Sequence, residues 1–192
     1  MGLAGKGEIM EEKIKAKIMD DKKMKRTFQR LAIEILERNR EADKLVLIGI
    51  QTRGVHVARR IQQLIKELEN IDVPLGILDI TMFRDDLHKH EQQPAVKKTK
   101  IDFSIEDRDI VLIDDVVFTG RTIRAAMDSI FELGRPASVQ LAAFIDRGHR
   151  EMPISPDFKG KYLPTSRRER VKVMLQEIDG KDQVLIMEPK GF

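Results

Sequence analysis

The run Leu45-Val46-Leu47-Ile48-Gly49-Ile50 sets the tightest limit on how this chain can fold. It has no polar side chain, is introduced by Lys44 and ends in the turn Gln51-Thr52-Arg53-Gly54, so it is one strand long. It also lacks the alternation of a strand with one wet face, and a strand of that kind must be covered on both sides. The covers are written around it. Residues 24–39 place Met24, Phe28, Leu31, Ala32, Ile35 and Leu36 at helical spacing, and residues 54–68 do the same with Val57, Ala58, Ile61, Leu64, Ile65 and Leu68. Further strands are predicted at 74–81, 109–113 and 138–145, with a helix at 121–133 stopped by Gly134 and Pro136. Strand and helix alternate, which argues for an α/β fold with a mostly parallel sheet flanked by helices. Its binding loops then collect at the carboxyl ends of the strands.

At 192 residues the chain suits one core, and we read residues 24–192 as one domain. Residues 1–23 are a charged N-terminal extension, 83–108 a long charged loop without apolar periodicity, and 151–192 a region of prolines, turns and short strand-like pieces. No apolar run is long enough to cross a membrane, and the first residues lack the apolar middle of a signal peptide, so no membrane partner and no export are expected. Zero cysteines exclude disulfides, zinc thiolates and thiol nucleophiles and fit a reducing cytoplasm. With 35 Lys and Arg against 32 Asp and Glu, bulk charge does not argue for a nucleic-acid partner.

The segment Val111-Leu112-Ile113-Asp114-Asp115-Val116-Val117-Phe118-Thr119-Gly120-Arg121-Thr122 carries the chemistry. A buried strand delivers two adjacent carboxylates, and a helix opens a few residues later. The helix N-terminus offers unpaired N–H groups and a positive dipole end, Thr119 and Thr122 add hydroxyls, and Gly120 allows close approach of a phosphate. Asp114 and Asp115 can accept from vicinal ribose hydroxyls. Their mutual repulsion asks for an offsetting ligand or Mg2+, with both as metal candidates. Residue by residue, each of these is also compatible with a polar strand end and an ordinary turn; the whole run points to a phosphorylated sugar.

In this layout the segment resembles the phosphoribosyl pyrophosphate motif of the type I phosphoribosyltransferases. The resemblance implies that family's fold, with a small hood and a flexible loop over the site. It assigns the ribose hydroxyls to Asp114 and Asp115, and the 5'-phosphate to Val117, Phe118, Thr119, Gly120, Arg121 and Thr122, with Val116 beside them. Thr52, Arg53 and Gly54 match its diphosphate loop, which implies a cis peptide, placed here at Thr52–Arg53. Arg53 offers a fork for phosphate oxygens. Residues 83–108 match the flexible loop, with Arg84 as its leading diphosphate contact and Lys97, Lys98 and Lys100 behind it. His88 and His90 have no evident third metal ligand.

Within that family, Leu78-Asp79-Ile80-Thr81-Met82-Phe83-Arg84-Asp85-Asp86-Leu87, Gly134-Arg135-Pro136, Asp146-Arg147-Gly148-His149-Arg150-Glu151 and Leu163-Pro164-Thr165-Ser166 are more telling. They resemble the bifunctional regulators of pyrimidine operons that are also uracil phosphoribosyltransferases. The resemblance, covering about residues 24–186, implies that uracil and phosphoribosyl pyrophosphate give UMP and diphosphate with Mg2+. It places Arg147 and the backbone near Val171 at the base, although Asp146-Arg147 is equally read as a structural ion pair. It also implies that the UMP-loaded protein binds a hairpin in operon messenger RNA through Arg30, Arg38 and Arg150. Two positions depart from the pattern: Ile33 stands where members carry histidine and Ser155 where they carry arginine. A regulator with residual transferase activity and a purine-salvage transferase are the competing readings. A homodimer or higher oligomer is expected from the resemblance and from the apolar face of the first helix.

Overall fold

The structure is a computed structural model that describes residues 12–80 and 99–190. In chain order its elements are β1 (Glu12–Met19), α1 (Asp21–Arg38), β2 (Leu45–Ile50), α2 (Arg53–Glu69), β3 (Leu75–Leu78) and β4 (Asp109–Val117). Then come α3 (Arg121–Leu133), β5 (Ser138–Asp146), β6 (Phe158–Tyr162), β7 (Arg170–Met174), α4 (Gln176–Asp179) and β8 (Gln183–Pro189). Five strands form a parallel sheet in the order β3-β2-β4-β5-β6. A second sheet, β1-β8-β7, is antiparallel.

All six residues of β2 are buried, as an apolar run without alternation requires. Because side chains alternate along a strand, the run feeds two cores. Leu45 and Leu47 join Val111, Ile113 and Phe144 beneath Phe28, Leu31 and Ile35 of α1 and Ala58, Ile61 and Ile65 of α2. Val46, Ile48 and Ile50 face the other way with Ile110, Leu112 and Ala143, under Ile123, Ala126 and Ile130 of α3. The stacking of Phe28 on Phe144, with ring centroids 4.4 Å apart, locks α1 to the sheet. Asp20 caps α1 by accepting from the Lys23 N–H at 2.8 Å. The apolar face of α1, expected from the sequence to argue for a dimer, is instead consumed inside the subunit; Ile33, 44% exposed, lies off that face.

Residues 1–23 are not an appendage throughout. Glu12–Met19 is an edge strand hydrogen-bonded to β8, and α1 starts at Asp21. Its signal is the alternation of Lys13, Lys15 and Lys17 with Ile14, Ala16 and Ile18, and lysines on an edge strand discourage further pairing. The region after residue 151 divides. Phe158–Tyr162 extends the parallel sheet, whereas β7, α4 and β8 build the small second sheet, joined to the main core through Val171, Val173, Val184 and Ile186. Of the charged loop, Lys100 makes an antiparallel bridge to Ile77, while Arg84, His88, His90, Lys97 and Lys98 lie outside the described residues. Among the described residues no helix is long and apolar enough to cross a membrane.

From β2 the chain crosses outward to β3, and from β4 it crosses the opposite way to β5. The adjacent strands β2 and β4 therefore flank the switch point, the place in an open parallel sheet where ligands bind beyond the carboxyl ends. Both phosphate-binding segments read from the sequence leave these two strands.

Candidate active site

Strand β4 runs four residues past its predicted end, through pairing of Asp114 with Ala143, Val116 with Ile145 and Val117 with Asp146. The acidic pair is thus held inside a rigid strand. Asp114 is buried and its Oδ1 accepts from the Asp115 N–H at 2.9 Å. Burial pushes the half-buried Asp115 carboxyl up from its ordinary value; the hydrogen bond with Asp114 and the charge of Arg53 pull the other way.

The first turn of α2 sits directly on this pair. A Cβ on Gly54 would lie 2.6 Å from the Ile113 carbonyl oxygen, 3.1 Å from Asp114 Cα and 3.3 Å from Asp114 Oδ1, so only glycine permits the approach. Neither α2, with Thr52 at its N-cap, nor α3, with Gly120 there, has a side-chain cap, in contrast to α1. Two helix starts whose N-cap residue gives no side-chain bond therefore open beside the acidic pair; at α3 the Arg121 N–H meets Thr119 Oγ1 at 3.4 Å, and a helix start of this kind suits an anion. Gly120 holds φ at +96°, a conformation that favours glycine. The cis peptide bond is Gln51–Thr52, one residue before the position expected.

Arg53 points at the second sheet. Its guanidinium makes a bidentate pair with Asp179 of α4, at 2.5 and 3.0 Å. That pairing holds the Asp179 carboxyl below its ordinary range, helped by the Leu175 N–H that donates to the same carboxylate at 2.9 Å. Beside it, Arg60 forks onto both Glu177 and Asp182 and fixes α4 to α2. Asp179, Glu177 and Asp182 were not singled out in the sequence. The acidic turn around Gly180 was visible, but its partners are more than 100 residues away.

Segment 147–154 backs residues 117–120. Arg147 is not paired with Asp146. Its Nε donates to Thr165 Oγ1 at 2.7 Å, its Nη2 to the carbonyls of Ser166, Arg167 and Glu169, and its guanidinium covers the Phe118 ring at 3.9 Å. His149 meets the same ring edge-on. Arg121 turns toward this segment as well, donating to Glu151 Oε2 at 2.9 Å. Arg150, expected on an RNA-binding face, instead donates to the carbonyls of Val117, Phe118, Gly148 and Ile154 and to Asp146. Those bonds occupy its planar fork, while the side chain stays 20% exposed.

Three other expected positions, Val171, Arg30 and Arg38, have their partners elsewhere. The Val171 side chain is in the core, and its strand position pairs with Ile186. On α1, Arg30 donates to Glu34 and to the carbonyls of Lys159 and Gly160. Arg38 pairs with Asp157 at 3.0 Å and keeps an exposed side chain. Among the described residues no group of three or more His, Asp or Glu gathers as a ready-made metal cluster. Asp114 and Asp115 are the carboxylates on the switch-point edge.

Comparison with known proteins agrees with this geometry. The phosphoribosyl transferase domain matches residues 16–172. The chain is 51% identical over 174 residues to the bifunctional protein PyrR of Clostridioides difficile, covering 91% of this chain and 98% of that one. It is 48% identical over 178 residues to the bifunctional protein PyrR of Deinococcus radiodurans, covering 93% and 97%. Among solved structures, the hypoxanthine phosphoribosyltransferase of Trypanosoma cruzi superposes with a TM-score of 0.71 at 15% identity, over 92% of this chain and 98% of that one. At that identity the likeness shows the shared fold alone.

Proposed function

Because the chain belongs to the phosphoribosyltransferase family and, within it, to the bifunctional PyrR proteins, we propose that it makes UMP and diphosphate from uracil and phosphoribosyl pyrophosphate, and regulates pyrimidine operons by binding messenger RNA when loaded with UMP. The observation that carries this reading is identity of about one half with PyrR proteins over more than nine-tenths of the chain.

In the proposed chemistry uracil N1 forms a bond to the anomeric carbon as the carbon–oxygen bond to diphosphate breaks. The diphosphate leaves with the electron pair and N1 gives up its proton. No covalent enzyme intermediate is needed, so positioning and electrostatics carry the rate. Asp114 and Asp115 would accept from the ribose hydroxyls, residues 117–122 would wrap the 5'-phosphate, and Thr52, Arg53 and Gly54 would meet the diphosphate with Arg84. Arg53 would exchange Asp179 for diphosphate oxygens. Mg2+ fits this donor set, since it takes one or two carboxylates and completes its shell with phosphate oxygens and water. When bound through Asp114 or Asp115 it would neutralise charge on the substrate. At the base we keep Arg147 and the backbone near Val171 as candidates; the bonds of Arg147 to residues 165–169 support a role in shaping that wall.

For RNA, Arg38 is the strongest of the three arginines by exposure, with Arg30 beside it on α1. We assign the protein to the cytoplasm as a homodimer or larger assembly. Exposed Ile33, Leu68, Phe131 and Leu133 support an assembly, and the sequence features given above support the compartment. Diphosphate release measured with uracil, hypoxanthine and guanine tests the enzyme. Faster turnover of a purine would replace the uracil reading with purine salvage. UMP-dependent binding to the leader RNA of neighbouring pyrimidine genes tests the regulator, and binding no better than to an unrelated hairpin would leave the enzyme alone.

A further inference from the structure

We propose that Arg150 is a positioning residue for the 5'-phosphate: it holds the carbonyls of the phosphate loop to one side so that the amides of Phe118, Thr119 and Gly120 face the other. The proposal rests on the reading of residues 117–122 as the phosphate loop. The Val117 carbonyl accepts from the Arg147 N–H at 2.9 Å and from Arg150 Nη1 at 3.3 Å. Arg150 Nη1 also donates to the Phe118 carbonyl at 2.6 Å, and the Glu151 N–H donates to the Thr119 carbonyl at 2.9 Å. Three successive carbonyls thus point at segment 147–151.

Among the described residues only Gln51–Thr52 is cis, so these three peptides are trans. In a trans peptide the C=O of one residue and the N–H of the next point in opposite directions. Fixing the carbonyls of Val117, Phe118 and Thr119 therefore aims the N–H groups of Phe118, Thr119 and Gly120 away from segment 147–151. There they add to the first-turn amides of α3, and a row of N–H groups of this kind is what a phosphate dianion needs.

Arg150 is built to do this rigidly. Its Nη2 donates to Asp146 Oδ1 at 2.6 Å, its Nε to the Ile154 carbonyl at 2.8 Å and its Nη1 to the Gly148 carbonyl at 3.1 Å. Gly120 is backed by Met152 and Ile154 from the same segment, 3.5 Å from where its Cβ would stand. Asp146 neutralises the guanidinium, so the residue acts through geometry and contributes little net charge to the phosphate. Lysine keeps the charge but has no planar fork to hold several acceptors.

Arg150→Lys and Arg150→Gln are therefore expected to behave alike, raising the KM for phosphoribosyl pyrophosphate about 10- to 100-fold, the worth of one or two hydrogen bonds to a charged oxygen, with the KM for uracil unchanged. Both KM values rising together would mean general loosening and would overturn the proposal, as would a Lys variant equal to wild type. A second measurement needs no variant: amide hydrogen exchange of the wild-type protein with UMP and with uridine. Protection of residues 118–120 by UMP but not by uridine is expected, and equal protection by both, or by neither, would overturn it. A wild-type protein with no uracil-dependent diphosphate release and no affinity for UMP would instead sink the phosphosugar reading itself.

Discussion

Replacing Gly54 with alanine tests whether the two phosphate loops work as one unit. The new methyl would stand 2.6 Å from the Ile113 carbonyl oxygen, against the 3.4 Å at which ordinary contact begins, a shortfall of about 0.8 Å. The two nearest atoms are backbone of β4, so no rotamer change relieves the contact; α2 must back off from β4 or β4 must bow. Overpacking of this kind costs about 1–3 kcal/mol, to be read from the denaturant midpoint. The catalytic cost should be comparable. The same shift separates the first turn of α2 from Asp114, and a misplacement of about 1 Å costs on the order of 100-fold in rate. The assay is kcat and KM for phosphoribosyl pyrophosphate with uracil held saturating. A variant that loses stability in this range but turns over normally would refute the claim that the helix start belongs to the site, and a variant normal in both would refute the close approach.

Asp115→Asn should abolish turnover by at least about 100-fold yet stabilise the ligand-free protein at neutral pH. Burial raises the folded-state pKa of this carboxyl, so its penalty is absent below the unfolded value and complete above the folded one. Unfolding curves at pH 4 and pH 8 check the sign: the gain belongs to the higher pH. Asp179→Asn has the opposite signature. Its folded pKa is lowered, chiefly by Arg53, so its stabilisation is present above an unfolded pKa of about 3.9 and is lost as pH falls through the folded value. The variant should be less stable at pH 7 and show a shallower acid limb, and equal acid limbs would count against the pair. Ser155→Arg should strengthen UMP-dependent RNA binding and steepen the plot of log K against log salt by about 0.7–0.9, one phosphate contact; an unchanged slope would remove this position from the RNA face.

What was legible in the sequence was what local pattern determines. The run from Leu45 to Ile50 reads as a doubly covered strand because every position demands burial, and 121–133 reads as a helix because Gly134 and Pro136 end it. The run from Asp114 to Thr122, on which the proposed phosphate site rests, stood out because glycine, hydroxyls and adjacent carboxylates fall together between a strand and a helix. Long-range pairing was not. β4 continues to Val117 because β5 offers it partners, and the local alternation in β1 becomes a strand because β8 pairs with it, so neither element is fixed by its own segment alone. The arginines show the same limit. Arg53, Arg147 and Arg150 look alike in sequence, yet one pairs with Asp179, one braces carbonyls of residues 166–169 and one braces the phosphate loop.

This division of labour among arginines bears on how the site tolerates its own cost. Adjacent carboxylates in a buried strand and two helix starts with no side-chain bond from the N-cap residue each forgo stability that a pure scaffold would keep, and such departures are expected where a ligand completes the structure. The fold offsets them from behind. Arg60 ties α4 to α2, and Arg150 ties the phosphate loop to segment 147–154, while neither guanidinium needs to touch the substrate. Arg53 would be the exception under the proposed function, since its partner Asp179 would satisfy it only until a diphosphate competed for the same fork. A phosphorylated sugar entering this edge would then meet a preset 5'-phosphate loop but a diphosphate loop that must trade an ion pair. The two ends of one substrate would be recognised with different stiffness, the firm end fixing position and the exchangeable end releasing product.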